Sequence, residues 1–142
     1  VVLGESYKKS PSIFDEAKRE LKDEILHVGF VDRFEDYARW LWLADILPVT
    51  SNQDFFGLSA VEAMYCETYP ILPNRLAFPG HIPVEEAGDF LYDAENELFE
   101  KLNWACDNIS QIRENRKSRN FVTPYDWTIL APLYDKLFNS LS

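Results

Sequence analysis

One stretch decides the fold of this chain, DILPVTSNQDFFGLSAVE at residues 45–62. Its first part, residues 45–51, is an apolar run that predicts a β-strand. Pro48 has no N–H group, so we expect the regular pairing of this strand to end there. A polar loop follows, and residues 57–67 then have the apolar pattern of a helix. A strand that runs through a loop into a helix is half of a βαβ unit.

The alternation of short apolar runs and amphipathic stretches continues on both sides of this segment. Further strands are predicted at residues 1–4, 25–30, 69–73 and 90–92. Further helices are predicted after Ser10-Pro11, after Asp32, at residues 94–109 and at residues 124–141, whereas residues 74–83 are predicted to form a loop. Strands separated by helices favour an α/β fold, a doubly wound parallel sheet with helices on both faces. We expect one Rossmann-like domain over residues 1–142.

The composition is that of a packed globular domain. Of the 142 residues, 46% are hydrophobic and 15% are aromatic, which is enough to bury a core. No run approaches the roughly 18 apolar residues that cross a bilayer, and the first residues lack the pattern of a signal peptide. We therefore expect no membrane partner. The formal net charge of −10 makes this domain alone a poor match to nucleic-acid binders, which usually have a basic face.

The charges are unevenly distributed along the chain. Between Val84 and Glu100 there are acidic residues and no basic ones, and a basic cluster follows, formed by Arg113, Arg116, Lys117 and Arg119. Such clusters are usually solvated faces, and a partner surface is the alternative.

The cysteines and histidines are isolated in the sequence. Cys66, Cys106, His27 and His81 match no spacing typical of a metal site. Two separate cysteines in a core-forming chain are expected to be reduced and buried, which favours a cytoplasmic protein without a metal ion.

Ligands of doubly wound sheets bind at the carboxyl ends of the strands, where loops lead into helices. Three loops have this position, at residues 4–6, 29–32 and 51–58, and the third is the most informative. Gly57 lies where that loop turns into the helix, and a glycine lets the backbone approach a ligand closely. The first N–H groups of the helix have no internal partner, which suits a diphosphate.

Two carboxylates bracket this turn. Asp54 precedes the helix and could accept hydrogen bonds from sugar hydroxyls. Glu62 follows at i+8 and belongs beside the apolar face, where a carboxylate costs desolvation unless it is hydrogen-bonded, for example by a ribose diol. Alone, Asp54 is more simply a helix cap, and Glu62 could pair with a neighbouring helix. Their occurrence together after an apolar strand favours a site for a nucleotide sugar.

The pattern resembles the E-x7-E signature of the GT-B retaining glycosyltransferases, in which an acid, any residue, Phe-Gly, four further residues and Glu-Ala follow one another. Ala44, Asp45, Ser51, Met64 and Pro70 also fall where that family has them. The segment YPILPNRLAFPGHIP at residues 69–83, together with DFFG at residues 54–57, is similar to one branch, the tRNA-queuosine mannosyltransferases. Members of that branch use GDP-mannose.

The resemblance implies a GT-B C-terminal domain that binds the donor of a retaining hexose transfer, with no metal and no further cofactor. It assigns Asp54 to the donor hexose, as the residue at the reacting sugar. The backbone amides of Phe56, Gly57 and Leu58 would hold the hexose and the diphosphate, and Glu62 would bind the ribose.

The resemblance also assigns two further loops to the donor cleft. The loop of Gly29, Phe30 and Val31 would lie near the base. Asn74 and Arg75 would lie near the cleft, although a loop cap and a surface charge are equally simple interpretations of these two residues. The acceptor implied by this branch is a queuosine-bearing tRNA.

The sequence departs from the family in two respects. Asp54 replaces the usual glutamate and is one methylene shorter. The phosphate-binding Arg and Lys of the family lie on a first βα unit, and neither this unit nor the amino-terminal acceptor domain precedes Val1 in the sequence. We therefore expect a fragment of a two-domain enzyme that is inactive alone.

Two other functions remain open at this point. A receiver-like signalling module would need a phosphoacceptor aspartate at the end of a strand, with an acidic pair and a lysine nearby. A nucleotide-sugar epimerase of GT-B layout would need a catalytic histidine, for which His81 is the candidate in a loop.

Overall fold

The computed structural model describes residues 1–4 and 11–141. The chain divides into two compact units, Val1–Leu43 and Ala44–Ser142. The expectation of one donor-binding domain over residues 1–142 stays a prediction.

In its described residues, 1–4 and 11–43, the first unit contains two parallel strands and two helices. Strand β1 (Val2–Leu3) is followed by α1 (Ser12–Glu20), β2 (Val28–Gly29) and α2 (Phe34–Leu43). The two strands pair in parallel, with Val2 opposite Val28 and Leu3 opposite Gly29. Both are shorter than predicted, and most of the predicted loop at residues 4–6 lies outside the described residues, as does Ser10.

The second unit is built on a parallel sheet of three strands. Strands β3 (Ile46–Pro48), β4 (Tyr69–Pro73) and β5 (Leu91–Tyr92) lie in the order β3-β4-β5. Strand β3 ends at Pro48, as its sequence predicted, although the Val49 amide still donates to the carbonyl oxygen of Ile71 at 2.9 Å.

Helices connect and cover these strands. Three 3₁₀ turns lie at Phe78–His81, Val84–Glu86 and Thr123–Tyr125, and the helices are α3 (Leu58–Tyr65), α4 (Ala87–Phe90), α5 (Glu95–Asp107), α6 (Ile109–Glu114), α7 (Ser118–Val122) and α8 (Trp127–Ser140). The predicted helix at residues 94–109 is divided at Asn108, because α5 ends at Asp107 and α6 begins at Ile109. The predicted helix at residues 124–141 begins only at Trp127, because Asp126 accepts a hydrogen bond from the Thr128 amide at 2.8 Å and caps α8.

The core lies on both faces of β4. Leu72 belongs to a cluster with Ala60, Val61, Met64, Phe78, Ile82, Phe90 and Val122. Ile71 belongs to a second cluster with Tyr92, Ala105 and Ile112. Because successive side chains of a strand point to opposite faces, these two clusters cover both sides of the sheet. The α/β fold with parallel strands flanked by helices is therefore confirmed.

The basic cluster of α6 and α7 is satisfied within the chain. Arg113 and Arg116 pair with Asp45 at 2.6 and 3.3 Å, Arg119 pairs with Glu67 at 3.4 Å, and Lys117 pairs with Glu86. These ion pairs join residues 113–119 to the residues just before β3 and β4 and to the loop after β4.

The cysteines differ in exposure. Cys66 is buried at the end of α3, and Cys106 is exposed on α5. The expectation that both are buried is wrong for Cys106, because α5 turns the neighbouring Ala105 to the core and Cys106 outward.

None of the helices in the described ranges combines the length and the apolar character that a membrane span requires.

Candidate functional site

The predicted site of the second unit lies at the carboxyl ends of β3 and β4. The loop after β3 runs from Val49 to Gly57 and leads into α3, and the loop after β4 begins at Asn74. In a parallel sheet the carboxyl ends of neighbouring strands meet at one edge. The two loops therefore border the same edge, where ligands of doubly wound sheets bind.

Gly57 ends the first loop in a conformation that needs glycine. It stands immediately before α3 with φ at +81°, in the left-handed region. A Cβ atom at this position would lie 2.8 Å from Cε1 of Phe78 and 3.5 Å from Nε2 of His81. Both the backbone angle and the packing against Phe78 thus exclude a larger residue.

Asp54 closes the turn before α3. Its Oδ1 atom accepts hydrogen bonds from the amides of Phe56 at 3.1 Å and Gly57 at 2.6 Å. These amides precede α3, whose N-cap residue is Gly57 and has no side-chain capping bond, so Asp54 holds the turn before the helix and does not cap the helix itself. Oδ2 of Asp54 accepts no hydrogen bond from the described part of the chain, so one oxygen of the carboxylate remains for a ligand.

The amides predicted to hold the donor differ in whether they already donate a hydrogen bond within the protein. Those of Phe56 and Gly57 donate to Asp54. The helical ladder of α3 begins with the Val61 amide, which donates to the carbonyl oxygen of Gly57 at 3.0 Å. The amides of Leu58 and Ser59 precede this bond and lie at the positive end of the helix. An anion at this position would therefore bind the amides of Leu58 and Ser59, in the first turn of α3.

Glu62 lies on α3 between two core residues. Its neighbours Val61 and Ala63 are buried, and Glu62 is half-buried. This agrees with its predicted place beside the apolar face. One turn later, burial raises the pKa of the Cys66 thiol, and the negative charge of Glu62 adds to this shift while Arg119 opposes it.

Arg75 ties the second loop to the first. Its Nε and Nη2 atoms donate to the carbonyl oxygen of Ser51 at 3.3 and 3.1 Å, and Nη2 donates to Oδ1 of Asn52 at 3.0 Å. Asn74 is exposed, and its amide donates to the carbonyl oxygen of Tyr92 at 2.8 Å. Arg75 therefore joins the predicted site through a tether to the loop after β3, and Asn74 lies at its margin.

Sequence reasoning missed the residues that support this loop from behind. His81 is only 3% exposed, and its Nε2 atom bonds the carbonyl oxygen of Phe56. Its Nδ1 atom lies 3.0 Å from the hydroxyl of Tyr125, which is 44 positions further along the chain. No sequence pattern connects these two residues.

The geometry of these residues also bears on the two other functions. Both ring nitrogens of His81 are engaged within the protein, so His81 is a poor catalytic histidine for an epimerase. Asp54 follows the end of β3 at Pro48 by a loop and caps a turn, whereas a receiver module needs an aspartate at the strand end.

The predicted base-binding loop lies in the first unit. Gly29 ends β2 with φ at +135°, and Phe30 beyond it is 62% exposed. An open depression of about 340 Å³ is lined by Leu3, Gly4, Phe30, Val31, Asp32, Phe34 and Tyr37. An exposed aromatic ring beside a depression could stack on a planar ligand.

Residues 1–4 and 11–141 contain no group of three or more His, Cys, Asp or Glu side chains that could hold a metal ion.

Comparison with known proteins connects this geometry to a family. A family model described as glycosyl transferases group 1 matches residues 1–131. The chain is 33% identical over 141 residues to a protein of Drosophila melanogaster named tRNA-queuosine alpha-mannosyltransferase, and the match covers 97% of this chain and 36% of that protein. It is 24% identical over 145 residues to a protein of Methanocaldococcus jannaschii described as an uncharacterized glycosyltransferase, with coverage of 98% and 39%.

The chain thus spans little more than a third of the length of these two relatives. The family match extends through both units and includes every predicted site residue. It confirms the resemblance inferred from the loop between Asp54 and Glu62. The chain belongs to the glycosyl transferases group 1 family.

Proposed function

We propose that the protein carrying this chain transfers a hexose from a nucleotide diphosphate sugar to an acceptor, with retention at the anomeric carbon, and that this chain binds the donor. The observation that carries the proposal is the left-handed turn at Gly57, which leads from a parallel strand into the amino terminus of α3. A diphosphate at that position gains from the first amides of the helix and from its dipole. The same charges would stabilise the leaving diphosphate as it develops in the transition state.

Asp54 would serve two purposes in this site. Oδ1 fixes the turn through the amides of Phe56 and Gly57. Oδ2 would accept a hydrogen bond from a hydroxyl of the donor hexose. Because the side chain of aspartate is short and its Oδ1 atom is hydrogen-bonded to backbone amides, the carboxylate has little conformational freedom. This favours a positioned contact with the sugar.

The ribose and the base of the donor are assigned to different predicted residues. Glu62 is half-buried, and its carboxylate would accept hydrogen bonds from the two hydroxyls of a ribose. The loop of Gly29, Phe30 and Val31 would hold the base, with the exposed ring of Phe30 as its stacking surface. Arg75 would keep the loop after β3 in place, and Asn74 would lie beside the cleft.

For the donor we propose GDP-mannose, and for the acceptor a queuosine-bearing tRNA. The support is the similarity to the Drosophila melanogaster protein, whose name specifies mannosyl transfer to tRNA-queuosine. The chain carries a formal net charge of −10, which does not favour tRNA as a direct partner of this part. The acceptor would therefore bind chiefly to other parts of a protein with the length of its relatives, including an amino-terminal acceptor domain, in the cytoplasm.

Donor binding is the first test. GDP, GDP-mannose, UDP and UDP-glucose would be titrated by calorimetry into the full-length protein and its Glu62→Gln variant. Loss of a charged hydrogen-bond acceptor for the ribose should weaken GDP binding by about 10- to 100-fold. The matched control is Glu100→Gln, an exposed glutamate of α5, which should change nothing. Tight binding of GDP that Glu62→Gln leaves unchanged would remove Glu62 from the site.

Two substitutions at Asp54 separate the turn from the sugar contact. Asn in Asp54→Asn keeps an Oδ1 atom for the amides of Phe56 and Gly57 but lacks the charged Oδ2. Asp54→Ala loses both. We expect Asp54→Asn to bind GDP as the wild type does and to transfer mannose slowly, whereas Asp54→Ala should weaken GDP as well. Equal transfer rates for wild type and Asp54→Asn would contradict the sugar contact.

Transfer itself is tested with GDP-mannose and queuosine-bearing tRNA, with unmodified tRNA as the control acceptor. The proposed mechanism predicts an α-linked product from the α-linked donor and no loss of rate in EDTA. An inverted product, or transfer that stops in EDTA and recovers with Mg²⁺, would refute the proposed chemistry.

A further inference from the structure

The peptide unit between Phe56 and Gly57 is held on both of its edges. Its N–H group, which belongs to Gly57, donates to Oδ1 of Asp54 at 2.6 Å. Its carbonyl group, which belongs to Phe56, bonds Nε2 of His81. The two groups of one peptide plane point in opposite directions, so Asp54 and His81 grip this plane from opposite sides. Rotation of the plane would break both bonds.

The chemistry of the partners fixes the direction of the bond to His81. A carbonyl oxygen only accepts, so Nε2 of His81 carries the hydrogen and donates. In the neutral ring Nδ1 then has a free electron pair and accepts from the hydroxyl of Tyr125 at 3.0 Å. The carbonyl of Phe56 therefore selects the tautomer of His81. Tyr125, whose hydroxyl also lies 3.5 Å from the carbonyl oxygen of Gly80, bonds the other ring nitrogen.

Aromatic packing keeps the imidazole in place. The ring of Phe56 meets the rings of His81 and Tyr125 edge-on, with centroids 5.1 and 5.2 Å away. The His81 and Tyr125 rings are 5.4 Å apart and nearly perpendicular. Gly57 packs so closely against Phe78 that a Cβ atom would lie 2.8 Å from that ring, and 3.5 Å from Nε2 of His81. The turn thus rests on a platform made of the buried Phe78 and His81 and the partly buried Tyr125.

We propose, on the basis of the proposed function, that His81 is a positioning residue for donor binding and that Tyr125 orients it. His81 is 3% exposed and lies behind the turn, so it has no contact with the donor. It acts through the Phe56–Gly57 peptide, whose orientation sets the left-handed φ of Gly57 and the direction in which α3 begins. Without His81 the turn would sample other orientations, and the donor would meet a disordered binding loop.

The enzymatic test compares three variants in the full-length protein. His81→Leu removes the donor to Phe56 and should raise the KM for GDP-mannose about tenfold, with a smaller change in kcat, because an unsatisfied buried carbonyl favours other loop orientations. In His81→Gln, the side-chain amide can donate from nearly the position of Nε2, so the KM should return most of the way to the wild-type value. Tyr125→Phe removes the hydrogen-bond partner of Nδ1, so the ring is held less firmly, and this variant should give an intermediate KM.

A structural control separates positioning from simple destabilisation. Ile112→Ala opens the second core cluster, to which Ile112 belongs and His81 does not. It should lower the melting temperature without changing the KM for GDP-mannose. If His81→Leu and Ile112→Ala raise the KM equally at temperatures where both are folded, His81 has only a structural role and the proposal is overturned.

A second readout does not depend on the donor. Hydrogen exchange of the peptide that covers residues 54–58 should be faster in His81→Leu than in Ile112→Ala, and His81→Gln should slow it again. Unchanged exchange in His81→Leu would overturn the proposal even if the wild type binds GDP-mannose normally. If the wild type binds no nucleotide sugar, the proposed function fails, and faster exchange in His81→Leu still establishes that His81 holds the turn.

Discussion

Gly57 lies so close to Phe78 that a side chain at position 57, at the start of α3, would clash with the Phe78 ring. A Cβ atom on Gly57 would be 2.8 Å from Cε1 and 3.2 Å from Cδ1 of the Phe78 ring. Phe78 is itself 1% exposed and belongs to the core of the second unit. The backbone of the candidate donor site is therefore joined directly to the hydrophobic core, so that packing of the core determines the shape of the turn.

Gly57→Ala should accordingly destabilise the protein. An alanine at φ +81° costs about 1–2 kcal/mol, and the overlap with Phe78 adds about 1–3 kcal/mol. Chemical denaturation of the wild type and the variant measures the sum. The matched control is Gly88→Ala in α4, where a Cβ meets no atom within 4 Å. That change should leave stability unaltered or raise it by about 0.5–1 kcal/mol, because alanine favours a helix. Equal effects at the two positions would contradict the packing argument.

Arg75→Lys should loosen the loop after β3. The guanidinium group donates to Ser51 and Asn52 through two nitrogens, and an ammonium group cannot reproduce this planar arrangement. We expect a loss of about 1 kcal/mol in the free energy of unfolding and faster amide exchange at residues 51–53. Arg39→Lys, which changes an exposed ion pair on α2, is the control. Unchanged exchange at residues 51–53 would show that Arg75 does not hold this loop.

The bond between Asp45 and Arg113 should make stability depend on acid pH. The hydrogen bond from Arg113 lowers the pKa of the Asp45 carboxyl below its usual value of 3.8. Burial opposes this shift, and the charges of Arg113 and Arg116 add to it. A lowered pKa stabilises the fold at pH values above the unfolded-state pKa. The contribution disappears as the pH falls through the lower pKa of the folded state.

Asp45→Asn therefore should be less stable than the wild type at pH 7, by about 1 kcal/mol or less because solvent screens this partly exposed pair. The difference should shrink below about pH 4 as the wild-type carboxyl is protonated. Thermal unfolding between pH 2 and pH 7 measures it, and high salt should reduce the difference at pH 7. A difference that is constant over this range would mean that Asp45 acts through its shape and not its charge.

The two thiols should react at very different rates. Cys106 is exposed, whereas burial of Cys66 both blocks access and raises its pKa, so its thiolate is scarce. Mass spectrometry after brief alkylation at pH 8 should find label on Cys106 and almost none on Cys66. In Cys106→Ser the remaining thiol should react only when denaturant unfolds the chain. Rapid labelling of Cys66 in the native protein would contradict the packing of α3.

Much of the fold was predictable because its signals are local. The run YPILP at residues 69–73 is apolar and bounded by polar residues, and β4 has these same bounds. Other helix boundaries differ from the predicted ones, because polar side chains there compete for backbone hydrogen bonds. Asn108 separates α5 from α6, and Asp126 delays the start of α8. Such shifts depend on which side chain reaches which amide, and periodicity alone does not reveal this.

The sequence by itself determined the α/β class and the order of strands and helices. It also determined that Asp54, Gly57 and Glu62 lie in the loop and helix that follow a parallel strand. Apolar periodicity and the turn preference of glycine are local signals, which a few neighbouring residues suffice to set. Only the tertiary structure decided that Asp54 caps the turn and that Arg75 binds the neighbouring loop. It alone brought His81 and Tyr125 together behind Phe56. These contacts join residues far apart in the chain, and packing of the whole unit, not local preference, sets their distances.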